Sequence, residues 1–347
     1  MLFKRKLTTT KMDEFKLKEL KNLRDAIIKR HIILITLSFI ISIIVTISFF
    51  IIKHQTNPLL LFLSLFLCHI PIYLFIFFKT NHSNFRYQYT AGLSLILILC
   101  YSLSMIFFIK TKYYQIFCYF ITLVIYHYAE FFSELFFHFQ DLQKDAFLIY
   151  QNKRWVISTL SSFAEYILGA YFFYEYKNIK VLFIIGLGMT IIGQYFRIAA
   201  LFTGKTNFTH KIQLKKRKNH VLVKHGIYRL CRHPSYFGFF LWSVGIEIMC
   251  VNPLCTIGFT VILYQFFKVR IEFEEEYLIK FFGMEYIKYR REVSNLMPFI
   301  DIDKETEKEN LRLYLMNHED EADDFDVYNF LNEESDEDSN DAKEKKV

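Results

Sequence analysis

The chain has six cysteines, Cys68, Cys100, Cys118, Cys231, Cys250 and Cys255, yet no two are spaced as CxxC and most lie inside apolar runs. That pattern excludes a disulfide or metal framework and leaves free thiols that pack as small hydrophobes. His220, His225 and His233 fall in one loop without thiolate or carboxylate partners at ligand spacing, so no metal site is expected. No glycine-rich phosphate loop is present, and nothing alternates strand and helix with the dinucleotide fingerprint, which excludes a nucleotide-binding Rossmann unit. There is no internal repeat, no Ser-His-Asp pattern and no sign of a nucleic-acid partner. The last residues lack a CaaX cysteine, so the chain is not itself a prenylation substrate by that motif.

What the sequence has in abundance is apolar surface. Of 347 residues, 53% are hydrophobic and 19% aromatic, and the mean hydropathy is positive. A soluble domain is not built this way, and the expected fold is an all-α, polytopic membrane bundle. Ile32 to Ile52 carries no charge over roughly the ~20 residues that cross a hydrocarbon core. Leu59 to Phe78, Tyr89 to Ile109, Tyr113 to Phe137, Trp155 to Tyr174 and Val181 to Phe202 are the next candidate spans. Tyr236 to Val269 is apolar apart from Glu247, with Asn252-Pro253 near its middle. Proline breaks a helix ladder and Asn before it favours a turn, so this stretch is expected to form two antiparallel spans rather than one long tilted helix. About eight spans result.

Lysine and arginine crowd residues 1–31 and the loop from Thr203 to His233, which places both on the cytosolic side. The first apolar run is of full span length and no small-residue cleavage site precedes it, so it acts as an uncleaved anchor. The resulting divisions are a basic cytosolic segment (1–31), a six-span region (32–202), a loop, helical hairpin and C-terminal helix (203–300), and an acidic tail (301–347). The tail, ending in "NEESDEDSNDAKEKKV", is expected to be solvated and disordered, and dispensable for chemistry.

Polar residues concentrate in the third division. From Asn207 the chain runs "NFTHKIQ", a basic spacer, "HVLVKHGIYRLCRHPSYFG", the hairpin, "RIEFEEEYLIKFFGMEYIKYRREV" and "MPFI". This set resembles the isoprenylcysteine carboxyl methyltransferases, and the resemblance extends over about Tyr126 to Ile300, with weaker matches at "YHYAEFF", "SSFAEY" and "FRIAALFTGKTNFTH". "RHPxYxG" alone would be weaker, since membrane phospholipid methyltransferases and some sterol reductases carry similar pieces. The joint spacing of the "HxLVxxGxYxxxRHPSYxG", "NP", "RxxxEE" and "FFGxxYxxY" elements is what points to the subfamily.

The resemblance implies an S-adenosyl-L-methionine-dependent enzyme of the endoplasmic reticulum membrane, acting on prenylated CaaX proteins after C-terminal proteolysis. It implies a cofactor pocket on the cytosolic side lined by Gln213, by His220, Val221, Leu222 and Val223, by Tyr228, and by His233, Pro234, Ser235 and Tyr236. The residues matching Arg270 and Glu274 contact the substrate and the cofactor site respectively. The chemistry agrees with this set. A carboxylate attacking a sulfonium methyl group is already ionised at neutral pH and needs no general base, so the protein has only to align the reactants and exclude water. An arginine suits the acceptor carboxylate because its planar fork can hold both oxygens.

Other charges have plainer readings. Arg270 and Glu274, four residues apart, could form an intrahelical salt bridge at the headgroups. Glu275 and Glu276 are expected on solvated helix surface, although Glu275 belongs to the paired-Glu signature. Arg232 is left open between a headgroup and a helix-terminus partner, and Glu130, Glu165 and Arg197 are expected to pair within the bundle. A transport protein would spread polar residues across several spans, and a phospholipid N-methyltransferase would find Arg270 repelling its cationic acceptor.

Overall fold

A computed structural model describes residues 83–107, 111–139, 146–149, 153–217, 220–297, 300, 304–316, 318 and 330, with short helical stretches between residues 18 and 47 and between 64 and 71. Among the described residues regular structure is helical and no strand occurs. The elements are α1 (Ser83–Phe107), α2 (Tyr114–Phe137), α3 (Lys153–Phe172), α4 (Tyr174–Lys177), α5 (Lys180–Gly204), α6 (Pro234–Met249), α7 (Pro253–Phe282), α8 (Met284–Glu292) and α9 (Lys304–Leu315).

Among the described residues four stretches are long and apolar enough to cross a membrane: Gln88–Phe107, Tyr114–Phe137, Lys180–Asn207 and Pro253–Phe282. Three of them coincide with expected spans to within a few residues. Within the expected span Ile32 to Ile52 the described residues 32–33, 36–38 and 40–47 are helical, whereas the expected span Leu59 to Phe78 lies largely outside the described residues. Trp155 to Tyr174 corresponds to α3, which ends at Phe172. Tyr236 to Val269 is divided between α6 and α7 at the Asn252-Pro253 step, as a hairpin requires. However, α7 does not stop at Val269. Its 30 residues, about 45 Å of helix, carry the chain through Arg270, Glu274 and Glu275 to Phe282.

The chain divides into two units, residues 1–187 with 246–255, and residues 188–245 with 256–347. In the first, Leu95, Val124, Phe131 and Leu135 form a core between α1 and α2, with the Phe131 and Phe147 rings stacked at 4.2 Å. The same unit contains a polar knot. Lys177 donates through Nζ to the carbonyls of Cys250 and Val251 and to Asn252 Oδ1 at 3.2, 2.8 and 2.6 Å. Asn252 Nδ2 donates to Glu247, whose two oxygens also accept from the Ser162 hydroxyl.

Two further details explain why the chain turns there. Val251 is held at φ +53°, a left-handed backbone that a β-branched residue adopts only when its surroundings impose it. Glu165 accepts the backbone N–H groups of Leu254 and Cys255 at 2.8 and 2.7 Å, capping the first turn of α7 from a different helix. The structural pairing expected for Glu165 therefore takes the form of a helix cap.

In the second unit, α5 and α6 approach backbone to backbone. A Cβ at Gly193 would lie 2.4 Å from the Trp242 nitrogen, and one at Gly238 would lie 2.7 Å from the Arg197 nitrogen. Beyond α7, Gly283 turns the chain at φ +53° into α8. The side of Gly283 that lacks a Cβ is filled by Tyr314 of α9, whose ring would be 2.3 Å from one. Leu311 and Tyr314 are buried with Phe281, Phe282, Tyr286 and Tyr289. The expectation of a solvated tail from Asp301 therefore fails over α9, because Leu311, Tyr314 and Asn310 recur at the three- and four-residue spacing that gives a helix one burying face.

Candidate functional site

The loop between α5 and α6 has few apolar residues to anchor it and is tied down by polar contacts instead. The Asn207 side chain accepts the Val221 N–H at 3.1 Å, and Gln213 Nε2 donates to the Thr209 hydroxyl and the Lys211 carbonyl. Lys216 donates to the Phe281 carbonyl and lies 4.8 Å over the Phe282 ring. Gly226, at φ +59°, makes the turn into a short helical segment, and Thr203 occupies the space a side chain there would need. Pro234 then opens α6, where its missing N–H costs no helix hydrogen bond.

This loop and the facing sides of α6, α7 and α8 enclose a cleft of about 880 Å³ that is continuous with solvent. Gln213, His220, Val221, Leu222, Val223, Tyr228, His233, Pro234, Ser235, Tyr236 and Glu274 all line it. Residues more than sixty positions apart in the sequence thus share one wall. Sequence reasoning assigned no role to Asn207, Phe208, Tyr277, Phe281, Phe282, Tyr286 and Tyr289, which line it too. The signal for the last four was present in "FFGxxYxxY", whose rings recur at helical spacing.

Arg270 does not line the cleft. It stands beside it, donating through Nε to the Tyr236 hydroxyl at 2.8 Å and through Nη2 to the His210 carbonyl. Tyr236 in turn donates to Glu274 Oε2 at 2.7 Å. The intrahelical salt bridge that four-residue spacing permits is replaced by a relay in which one phenol joins guanidinium to carboxylate. The ring of Tyr236 is held between His233, parallel at 5.6 Å, and Phe267 at 5.2 Å.

Behind the cleft lies a buried ionic cluster. Glu275 is fully buried and receives Arg232 Nε at 2.9 Å, His233 Nε2 at 3.1 Å and Arg290 Nε at 3.1 Å. Arg232 also donates through Nη1 to the carbonyls of Arg290 and Val293. The expectation that Glu275 is solvated is therefore wrong. A 30-residue helix that continues past the bilayer turns one face toward α8, and Glu275 is on that face, one position from Glu274 on the cleft side. Glu276 is only partly exposed, with Lys280 4.0 Å away. Of the two partners left open for Arg232, the helix terminus is the one found, in the Arg290 and Val293 carbonyls at the end of α8, and Glu275 is a further partner that the sequence did not suggest. Arg197 donates to the Ser235 hydroxyl at 2.6 Å, a further internal pairing.

Several groups on the cleft wall have perturbed chemistry. Burial, reinforced by Arg217 and Lys216, holds the His220 imidazole below its ordinary range, so it stays neutral at pH 7. Its Nδ1 is buried without a hydrogen-bond partner, and so is the Tyr286 hydroxyl. Burial together with nearby Glu274 raises the Tyr228 phenol, keeping it a donor. Burial pushes the Cys231 thiol up to about 12, and its sulfur donates to the Asn295 carbonyl, so it is no nucleophile. Among the described residues no group of three His, Cys, Asp or Glu side chains could hold a metal ion.

Residues 185–280 match the family model described as the isoprenylcysteine carboxyl methyltransferase family. A protein-S-isoprenylcysteine O-methyltransferase of Tribolium castaneum is 36% identical over 248 residues, 71% of this chain and 87% of that protein. Those of Mus musculus and Homo sapiens are 39% and 38% identical over 52% of this chain, the matches covering 63% and 64% of the relatives' own length. Among solved structures, a eukaryotic intramembrane Ras methyltransferase superposes with a TM-score of 0.71 at 32% identity, over 77% of this chain and 96% of that one.

Proposed function

The chain belongs to the isoprenylcysteine carboxyl methyltransferase family, and from that premise we propose that it uses S-adenosyl-L-methionine to esterify the C-terminal prenylcysteine carboxylate of processed CaaX proteins. The observation that carries the reading is the single cleft lined by Gln213, His220–Val223, Tyr228, His233–Tyr236 and Glu274, with Arg270 joined to its wall through Tyr236.

The cleft fits the proposed cofactor in its donor set. The unpartnered His220 Nδ1 and Tyr286 hydroxyl can meet the polar atoms of a ribose or an adenine ring, and the aromatic wall can cover a base. Glu274 offers a half-buried carboxylate to a cationic ligand. When bound, the cofactor supplies an electrophilic methyl group on a sulfonium.

The remaining work falls to the chain's own side chains. Arg270 holds the acceptor carboxylate. With Nε committed to Tyr236 and one Nη2 hydrogen to His210, the guanidinium has its Nη1 end free to grip in end-on fashion. Tyr236 sets the distance between Arg270 and Glu274, and hence between the two charges that the reactants bring. No residue need accept a proton, since the nucleophile is ionised throughout. We further propose a multi-pass protein of the endoplasmic reticulum membrane, with about eight spans, both termini cytosolic and the cleft on the cytosolic side, supported by the basic loop and the four apolar helices of span length.

The test uses membranes containing the full chain with radiolabelled S-adenosylmethionine. A farnesylcysteine analogue should gain an alkali-labile methyl ester, while the unprenylated cysteine analogue should react poorly because apolar burial supplies most of its binding. Methylation of an ethanolamine lipid in preference to the prenylcysteine, or equal turnover with and without the prenyl group, overturns the reading.

A further inference from the structure

The cluster around Glu275 has one member that no catalytic motif contains. Arg290 of α8 divides its guanidinium between two carboxylates, Nε facing Glu275 at 3.1 Å and Nη1 facing Glu307 of α9 at 2.9 Å. Glu307 is buried, with its side chain 9% exposed. Two arginines and two carboxylates are thereby balanced away from water. Uncompensated charge there is costly, so the positions of the four groups are coupled.

The cluster reaches the cleft through His233. Its Nε2 faces Glu275, its Nδ1 is 3.7 Å from Glu274, and its ring lies parallel to that of Tyr236, differing by 4°. Tyr236 carries the hydroxyl that joins Glu274 to Arg270. A second route is steric. Leu311 and Tyr314 of α9 pack on Phe281, Phe282, Tyr286 and Tyr289, residues that line the cleft. The acidic C-terminal segment, which the sequence marks as solvent, is thus the backing of the cleft.

We propose that Glu307 is a positioning residue for methyl-donor binding: through Arg290 and Glu275 it fixes His233 and with it the wall formed by Tyr236 and Glu274. The proposal rests on the reading of the cleft as the methyl-donor site. Without Glu307, Arg290 loses a buried carboxylate partner, shifts toward Glu275, and competes with His233 for it. The wall formed by Tyr236 and Glu274 loosens, while Arg270 keeps its second anchor at the His210 carbonyl.

The experiment compares the full-length wild type with Glu307→Gln, Glu307→Asp and, as a control on the same helix, Glu305→Gln, whose carboxylate is exposed and 3.9 Å from Arg312. Michaelis constants for S-adenosylmethionine and for a farnesylcysteine analogue are measured separately, with enzyme concentration set by the amount of folded protein. Glu307→Gln should raise the constant for the methyl donor about threefold to tenfold, the loss expected for one ordinary intramolecular hydrogen bond, with little change for the acceptor. Glu307→Asp, which keeps the charge on a shorter arm, should give a smaller shift in the same direction and carries the test if the Gln variant does not accumulate. Glu305→Gln should match wild type. A donor constant unchanged in both Glu307 variants overturns the proposal, even if the yield of folded protein falls. Failure of the wild type to methylate the prenylcysteine would instead strike at the functional reading.

Discussion

Both units bury polar side chains in predominantly apolar surroundings, and they complete the hydrogen bonding of those side chains to different degrees. In the first, Lys177 has three acceptors for its three protons and both oxygens of Glu247 are used. That knot closes on itself around the Asn252-Pro253 turn. In the second, Glu275 Oε1 takes both Arg232 and His233 while Oε2, with Arg290 Nε 3.1 Å away, completes no hydrogen bond, and the layer in front is open as well: His220 Nδ1 and the Tyr286 hydroxyl have no partner and Glu274 is half exposed. A polar group in a membrane protein is costly in either place. The difference teaches how to tell a fold-holding cluster from a site: the first is internally complete, the second has unused capacity facing a cavity.

The largest effect should come from removing the buried carboxylate of the second unit. Glu275→Leu leaves Arg232 and Arg290 buried without their shared partner, which costs about 3–5 kcal/mol, and detergent-solubilised protein should unfold many degrees earlier or fail to accumulate. An unaltered unfolding midpoint would mean that the arginines find other carboxylates. Next is Arg270→Lys, which retains the charge but loses the planar fork proposed to hold the acceptor carboxylate. Folded yield and methyl-donor affinity should hold near wild type while turnover falls on the order of a hundredfold. Near-normal methylation would remove Arg270 from the acceptor site, and Arg232 could not replace it without abandoning Glu275.

Lys177→Met in the first unit should behave in the opposite way. The carbonyls of the Asn252 turn lose their donor, stability drops by about 1–3 kcal/mol, and turnover per folded molecule stays within about twofold. A large loss of turnover at unchanged stability would mean that the knot takes part in the chemistry. The smallest effect is a pH dependence. The folded-state pKa of His220 lies below its ordinary value of about 6.5, so above that pH the group is neutral whether the chain is folded or not. As pH falls below 6.5 the unfolded chain takes up the proton first, and stability is lost until the depressed pKa is passed. Methyl-donor affinity should decline only once pH falls to the depressed pKa and the folded site takes up its proton, and His220→Asn should flatten the stability curve above it. A wild-type curve level down to pH 5 would contradict it.

Periodicity, proline and charge distribution were sufficient for the helical class, for α2 and α5 nearly to the residue, and for the break at Asn252-Pro253, because these are local properties that a bilayer amplifies: each segment must satisfy its own backbone. The family resemblance carried by the motif set named eleven residues that do line one cleft. It picked out Glu274 but left its neighbour Glu275 on the solvated surface, where it is not. Adjacent positions on a helix differ by roughly a third of a turn, and only the placement of α8, with Arg290, decides which carboxylate is buried and which faces the cleft. Nor could composition reveal α9. Half of its residues are charged, and the apolar ones, Leu311 and Tyr314 above all, acquire meaning from Gly283, whose missing side chain leaves the space that Tyr314 fills. Long-range complementarity of this kind is carried by pairs of positions, and a single sequence does not say which positions will meet.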